Sequence, residues 1–505
     1  MTAPKPGMGP HTTQRMLRHL PVILLLLVAW ATYRPEVARP FDYVDFPEDV
    51  RVLKAHDGFV DQYVALSRVY VDHGRWKPVM NALLAGQWSL FGNWTTGWQL
   101  TRFAVMVGAL FAAWSLMWKL RLDATGAFAA CALLLFSPPA TMGWLRLSTP
   151  EPIGVLLLAI ACHVALGERS QQSAWMLALL LVSVMWTKEI MTVAFSLPLL
   201  LVLASNGDGT LGRLKYDPER LRALAPGALA GILAAVPVIY VWYASPPESF
   251  AARYAGNGIS SADLLGGSLA AWLPFAPLPQ PSSAALLVAS TVFLLLLLSG
   301  WHQALRKEEP RIHHQAILLL ALFVPVLGAL FYSLWPYYLL VYAMPFGLAG
   351  SLITGQAVSS LRDKRVLSLA CLTIVLTFSL AQAANESSRL RALHGAFAES
   401  VTRVQAMQSV DTVLVEIAPD QYDQRGNFGP RFKTYAWMLG LNWPEVRDVP
   451  CGAGEASQSG VIRLQLNLMC PGASAEPAIV KRFARFDWPD PRPRRDSVTV
   501  SFVSQ

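Results

Sequence analysis

Residues 54–76 read KAHDGFVDQYVALSRVYVDHGRW, and they stand between apolar runs at about 18–33 and 101–119. Spaced at 100° per residue, Asp57, Asp61, Arg68 and Asp72 fall on one face of a helix. Phe59, Tyr63, Leu66 and Tyr70 fall on the opposite face, and Val60, Val64 and Val71 extend the apolar side. The pattern predicts an amphipathic helix lying along a membrane surface soon after a first span. Its polar face is expected to look toward whatever the outward loops enclose. Asp57 and Asp61 are like charges four residues apart, mildly unfavourable in an isolated helix, which points to a cation or a hydroxyl substrate nearby.

The setting follows from composition. Of 505 residues, 54% are hydrophobic and 15% are charged, which excludes an ordinary soluble chain. Apolar runs recur at about 18–33, 101–119, 125–143, 150–167, 172–187, 189–205, 223–244, 283–300, 315–333, 336–354 and 366–385. Each approaches the roughly 20 residues that cross a hydrocarbon core. The expectation is an all-α polytopic membrane protein with about eleven transmembrane helices and amphipathic helices in its first outward loop. The net charge of +8 does not indicate nucleic acid, because Lys and Arg lie in short loops and form no basic stripe interleaved with aromatics. The first run is short and follows Arg15 and Arg18, and Ala29-Trp30-Ala31 is similar to a signal-peptidase site, so a cleaved leader stays open as an alternative.

Basic residues set the orientation. With the N-terminus cytoplasmic, the inner loops carry Lys119, Arg121, Arg169, the 213–222 cluster, the 306–311 cluster and the 362–365 cluster. The short outer connections hold only Arg146, Lys188 and Arg253. That asymmetry places residues 34–100, 245–282 and 386–505 outside. The tail 386–505 has a helix-like start over about 387–408 and strand-like stretches DTVLVEIA and SGVIRLQLNL, which predict a small exported α/β or α+β domain after a membrane domain of residues 1–385. Cys451 and Cys470 fall in that tail and suit a disulfide in an oxidising compartment, whereas Cys131, Cys162 and Cys371 lie inside apolar runs.

Several short motifs fall on the outward side. An acid, then Gln-Tyr, then Gly-Arg-Trp-Lys-Pro (Asp57, Gln62-Tyr63, Gly74 to Pro78) follows the first span. Thr149-Pro150-Glu151-Pro152 opens a later span, Lys188-Glu189 marks the outer end of another, and Trp335-Pro336-Tyr337-Tyr338 precedes a late one. Over about residues 18–385 this arrangement resembles the C-type membrane glycosyltransferase superfamily, which includes protein O-mannosyltransferases and the lipid A aminoarabinose transferase. Many relatives carry adjacent acids where this chain has Asp57-Gly58, which leaves open which acid is the base and whether a metal is held.

The resemblance implies sugar transfer, with inversion, from a polyprenyl-phosphate donor to an envelope glycan, lipid or protein acceptor at the outer face of a bacterial inner membrane. Such a reaction needs a carboxylate to take the acceptor proton and cations to stabilise the departing phosphate. Asp57 is the first choice of base, with Asp61 and Glu151 as alternatives. Lys188 and Arg146 are the candidate phosphate ligands, with Arg68 and Arg75 assisting. Tyr63, Trp76, Tyr337 and Tyr338 would line the substrate and lipid groove.

Each of these residues also has a plain structural reading. The acids suit a solvated helix face or a helix N-terminus, the cations suit snorkelling ends, and the rings suit an interfacial belt. No cofactor is expected. His56 and His73 could join the aspartates around a divalent cation, but their spacing matches no tight metal motif. No phosphate-binding glycine loop or nucleophile elbow is present. The competing class is a transporter or flippase of lipid-linked precursors, which would place ionisable groups at mid-span.

Overall fold

The computed structural model describes residues 10–37, 46–145, 149–167, 170–188, 191–194, 196–204, 218–244, scattered positions of 292–303, most of 348–361, and 365–407, 410–417, 445–451, 461–466, 477–487 and 490–504. The expected span at 315–333, most of those at 283–300 and 336–354, and the loop 245–282 lie outside the described residues.

The first apolar run forms α1 (Pro10–Val37). Its Val22, Leu25, Ala29 and Tyr33 are buried in the main core, so the segment is a packed component of the bundle. The segment between α1 and α5, expected as the first outward loop, folds as three helices, α2 (Phe46–Lys54), α3 (Phe59–Asp72) and α4 (Pro78–Phe91). The bundle continues through α5 (Thr95–Lys119), α6 (Ala124–Phe136), α7 (Pro138–Trp144), α8 (Glu151–Ala165), α9 (Gln171–Met185), α10 (Met191–Ala194), α11 (Ser196–Ala204) and α12 (Pro218–Ala244). Among the described residues, α5, Leu224–Val241 within α12 and Val366–Ala406 near the C-terminal end are long and apolar enough to cross a bilayer. Shorter apolar helices at His19–Tyr33, Ala124–Phe136, Glu151–Ala165 and Gln171–Met185 pack among them.

The run expected as one span at 125–143 is two helices. Pro138 and Pro139 have no N–H to return to the carbonyls of Leu134 and Leu135, four residues back. Bare carbonyls in a dry interior are costly, and two side chains supply the missing donors. Trp144 Nε1 donates to Leu134 O at 3.1 Å, and Tyr33 Oη donates to Leu135 O at 2.6 Å. Tyr33→Phe therefore strands a buried acceptor and is expected to lower unfolding stability by about 1–3 kcal/mol. Denaturant unfolding of the detergent-solubilised protein measures it, and an unchanged midpoint would mean that Leu135 O finds another donor.

On α3 the buried residues are Gln62 and Leu66, not the whole expected apolar face. Phe59 is 46% exposed, Val60 67% and Val64 38%. The valines sit roughly 100° or more from the centre of the buried face, so they border the polar side rather than extend the core. Gln62 can be buried because it is hydrogen-bonded: its Nε2 donates to His56 O at 3.0 Å and its Oε1 accepts from Ser89 Oγ at 3.3 Å.

The last described helix, α13 (Arg365–Ala406), runs for 42 residues through the expected boundary at 385/386. The stretch contains no proline and is rich in alanine, so nothing stops the helix where its composition turns polar. At 1.5 Å per residue it extends about 63 Å, roughly twice the hydrocarbon thickness. Beyond it, β1 (Thr412–Ile417), β2 (Glu445–Pro450), β3 (Val461–Leu466), β4 (Ile479–Asp487) and β5 (Asp490–Ser504) form one sheet of order β2-β1-β3-β5-β4. β1 is parallel to both β2 and β3, whereas β5 is antiparallel to β3 and β4. The two stretches read as strands are β1 and β3.

Alternation puts Val413, Val415, Ile462, Leu464 and Val500 in one cluster with Leu393, Ala396, Phe397 and Val401 of α13. The same cluster takes in Val50, Leu53, Leu66, Met80 and Leu84 of the outward loop. Sheet and loop thus share a core. Lys481 on β4 and Arg403 also hold the Glu399 carboxyl of α13 below its ordinary pKa, with Lys481 at 2.5 Å.

Candidate active site

Two helix ends bring the first pair together. α8 opens at Glu151 between Pro150 and Pro152, residues suited to a first turn that needs no N–H partners. α9 ends at Met185, and Trp186 and Thr187 close its last turn by backbone bonds to Val182 O and Val184 O. Trp186 Nε1 is fixed on Ala234 O of α12 at 3.1 Å. Lys188 follows, and its Nζ donates to Glu151 Oε1. Glu151 is fully buried and Lys188 is 5% exposed. Glu151 Oε2 is buried with no hydrogen-bond partner among the described residues.

The Gly-Arg-Trp-Lys-Pro segment docks against the same place. α3 ends in paired bonds, Gly74 N to Val71 O and Arg75 N to Tyr70 O, both 2.8 Å. This is a Schellman closure and needs a residue with positive φ, which Gly74 supplies at 75°. The chain is thereby turned toward α4, where Pro78 occupies the first turn. Val79 N donates to Trp186 O at 3.2 Å, and the Trp76 ring meets the Trp186 ring edge-on at 6.3 Å. Lys77 is 5% exposed, and its Nζ lies 3.8 Å from the centre of the Tyr70 ring. Tyr70 Oη in turn donates to Asp49 Oδ1 at 2.6 Å. Ile153, two residues into α8, packs against the loop core.

Three of the sequence motifs therefore converge: Gly74–Pro78, Thr149–Pro152 and the Lys188 of Lys188-Glu189, whose Glu189 lies outside the described residues. Of the expected site residues, Glu151 and Lys188 are buried and paired, Trp76 is half-buried beside them, and Arg75 precedes it in the same linker. Tyr63 is half-buried against the loop core. Asp57 is exposed just before Gly58, the N-cap of α3. Asp61 and Arg68 are exposed and line a groove between α2 and α3, away from the Glu151–Lys188 pair.

Arg146, Tyr337, Tyr338 and Cys470 lie outside the described residues. Cys451 is disulfide-bonded, while Cys131, Cys162 and Cys371 are free thiols. His56 and His73 each engage a helix carbonyl through Nδ1, Val52 O and Val69 O respectively. Among the described residues no group of three or more His, Cys, Asp or Glu stands close enough to hold a metal ion.

Among the described residues of the helical part, two buried cations, Lys77 and Arg102, escaped the sequence reading. Lys77 was part of a quoted motif but had no role; its signal is a lysine immediately before a helix-opening proline, which is weak. Arg102 is 7% exposed in the first third of α5, within electrostatic reach of Tyr33. It sits at the edge of the run expected at 101–119, where a lone arginine reads as a snorkelling end.

No protein-family model matches the chain, and no curated protein matches it. Among solved structures, the crystal structure of ArnT from Cupriavidus metallidurans bound to undecaprenyl phosphate is similar in shape, with a TM-score of 0.49 and 13% sequence identity, over 95% of this chain and 97% of that one.

Proposed function

We propose that this chain is an integral membrane glycosyltransferase that moves a sugar from a polyprenyl-phosphate donor to a hydroxyl of an envelope acceptor on the outer face. The observation that carries the reading is the convergence of the three motif segments on the buried Glu151–Lys188 pair. An ionised pair at the ends of two apolar helices is costly, and such pairs are kept where charge must be held in a fixed place.

In this reading the sugar C1–O(phosphate) bond breaks and the phosphate leaves with the electron pair. The acceptor oxygen bonds to C1 from the opposite face, and its proton passes to a carboxylate. Lys188, oriented by Glu151, and Lys77, oriented by Tyr70, supply positive charge near the departing phosphate. Glu151 is the base, through the carboxylate oxygen that Lys188 does not take; Asp57 precedes α3, whose 14 residues put it roughly 20 Å from Gly74–Lys77, too far to serve the same sugar carbon.

Purified full-length protein in bilayer discs, given polyprenyl-phosphate sugars and extracted envelope acceptors, tests this. Glu151→Gln is expected to lower kcat by about 10²–10⁴. Wild-type turnover by Glu151→Gln together with a dead Asp57→Asn would move the base to Asp57. The buried pair among apolar helices also suits a transporter of lipid-linked precursors. Movement of labelled donor across proteoliposomes without transfer would favour that reading.

A further inference from the structure

Asp61 and Tyr70 are nine residues apart on α3, which places them about 180° apart around the helix. The side that carries Tyr70 meets Lys77, and the side that carries Asp61 lines an open groove of about 600 Å³ against α2. Arg51, His56, Arg68 and Asp61 stand along this groove with Val52 and Val64. Arg51, Arg68 and Asp61 are exposed, and His56 uses Nδ1 on Val52 O. Two guanidinium groups and an imidazole therefore face one carboxylate across a partly apolar lining. Phe59 and Val60 add exposed apolar surface at the start of α3. The loop that carries the groove joins α1 to α5, so it lies at the level where the headgroups of the surrounding bilayer lie.

We propose that the α2–α3 groove binds the headgroup of an anionic phospholipid carrying free hydroxyls, of the phosphatidylglycerol type. Arg51 and Arg68 take the phosphate oxygens, for which a guanidinium fork is the best-matched donor. Val52 and Val64 meet the glycerol and first acyl carbons. Asp61 accepts from a headgroup hydroxyl and disfavours a bare, more highly charged phosphate. The lipid thereby ties the first loop to the membrane surface. The site does not depend on the sugar-transfer reading, because none of these residues belongs to the Glu151–Lys188 cluster.

Titration of the full-length, detergent-solubilised chain with dioctanoyl phosphatidylglycerol, read by native mass spectrometry, tests it. Each arginine near an anionic lipid surface is expected to contribute about 5-fold in affinity, so Arg51→Gln/Arg68→Gln should bind about 25-fold more weakly. Arg51→Lys/Arg68→Lys keeps the charge without the fork and should bind between wild type and the double glutamine variant, which separates charge from folding. Asp61→Asn should bind dioctanoyl phosphatidic acid more tightly and lose part of the preference for phosphatidylglycerol. Equal affinity for dioctanoyl phosphatidylcholine, unchanged binding by the double glutamine variant, or displacement by equimolar inorganic phosphate would each overturn the proposal.

Discussion

Glu151→Gln is expected to destabilise the protein by about 3–5 kcal/mol, because it leaves the Lys188 ammonium buried without its counter-charge. Lys188→Met should cost a similar amount by stranding the carboxylate, whose second oxygen already lacks a hydrogen-bond partner among the described residues. The informative variant is the double one. Glu151→Gln/Lys188→Met removes both charges, and replacing a buried ion pair by neutral groups is often close to neutral for stability. The double variant should therefore recover most of the lost stability while transfer activity stays abolished. Denaturant unfolding in detergent gives the three stabilities, and the transfer assay gives the activities. Strict additivity of the two single losses would mean that the residues do not act as a pair.

The second large effect comes from an apolar side chain. Phe397 is 1% exposed at the point where α13, the sheet and the outward loop meet, so Phe397→Ala should cost about 3–5 kcal/mol. Its consequence should reach the site. Val50, Leu53, Leu66 and Leu84 belong to the same cluster, so amides of α2–α4 should lose hydrogen-exchange protection together with those of β1 and β3. Deleting 386–505 should have the same effect in stronger form. Intact protection in α2–α4 after that deletion would mean that the tail is merely appended to the loop.

The outward loop was readable because one side of α3 is apolar and the other charged, and helical period alone reports that contrast. The motifs at Gly74–Pro78, Thr149–Pro152 and Lys188 were also visible, each flagged by a residue type that is out of place in an apolar chain. Their pairing was not visible. Glu151 and Lys188 are 37 positions apart, and nothing local in either segment names the other. Asp57 and Asp61 were grouped with these cations because the charge pattern assigns all of them to one side of the membrane; their exposure comes from how α2 and α3 pack, which period does not encode.

Hydropathy and charge placement in the chain were enough for the class of protein, the helical character of the loop and two of the five strands of the tail, because these depend on neighbours within a few residues. Three features arise only when distant segments meet: the break after Phe136 healed by Tyr33, the core shared by loop, α13 and sheet, and the buried Glu151–Lys188 pair. A proline pair announces that carbonyls will be left bare, but only packing selects the side chain, about a hundred residues away, that reaches them.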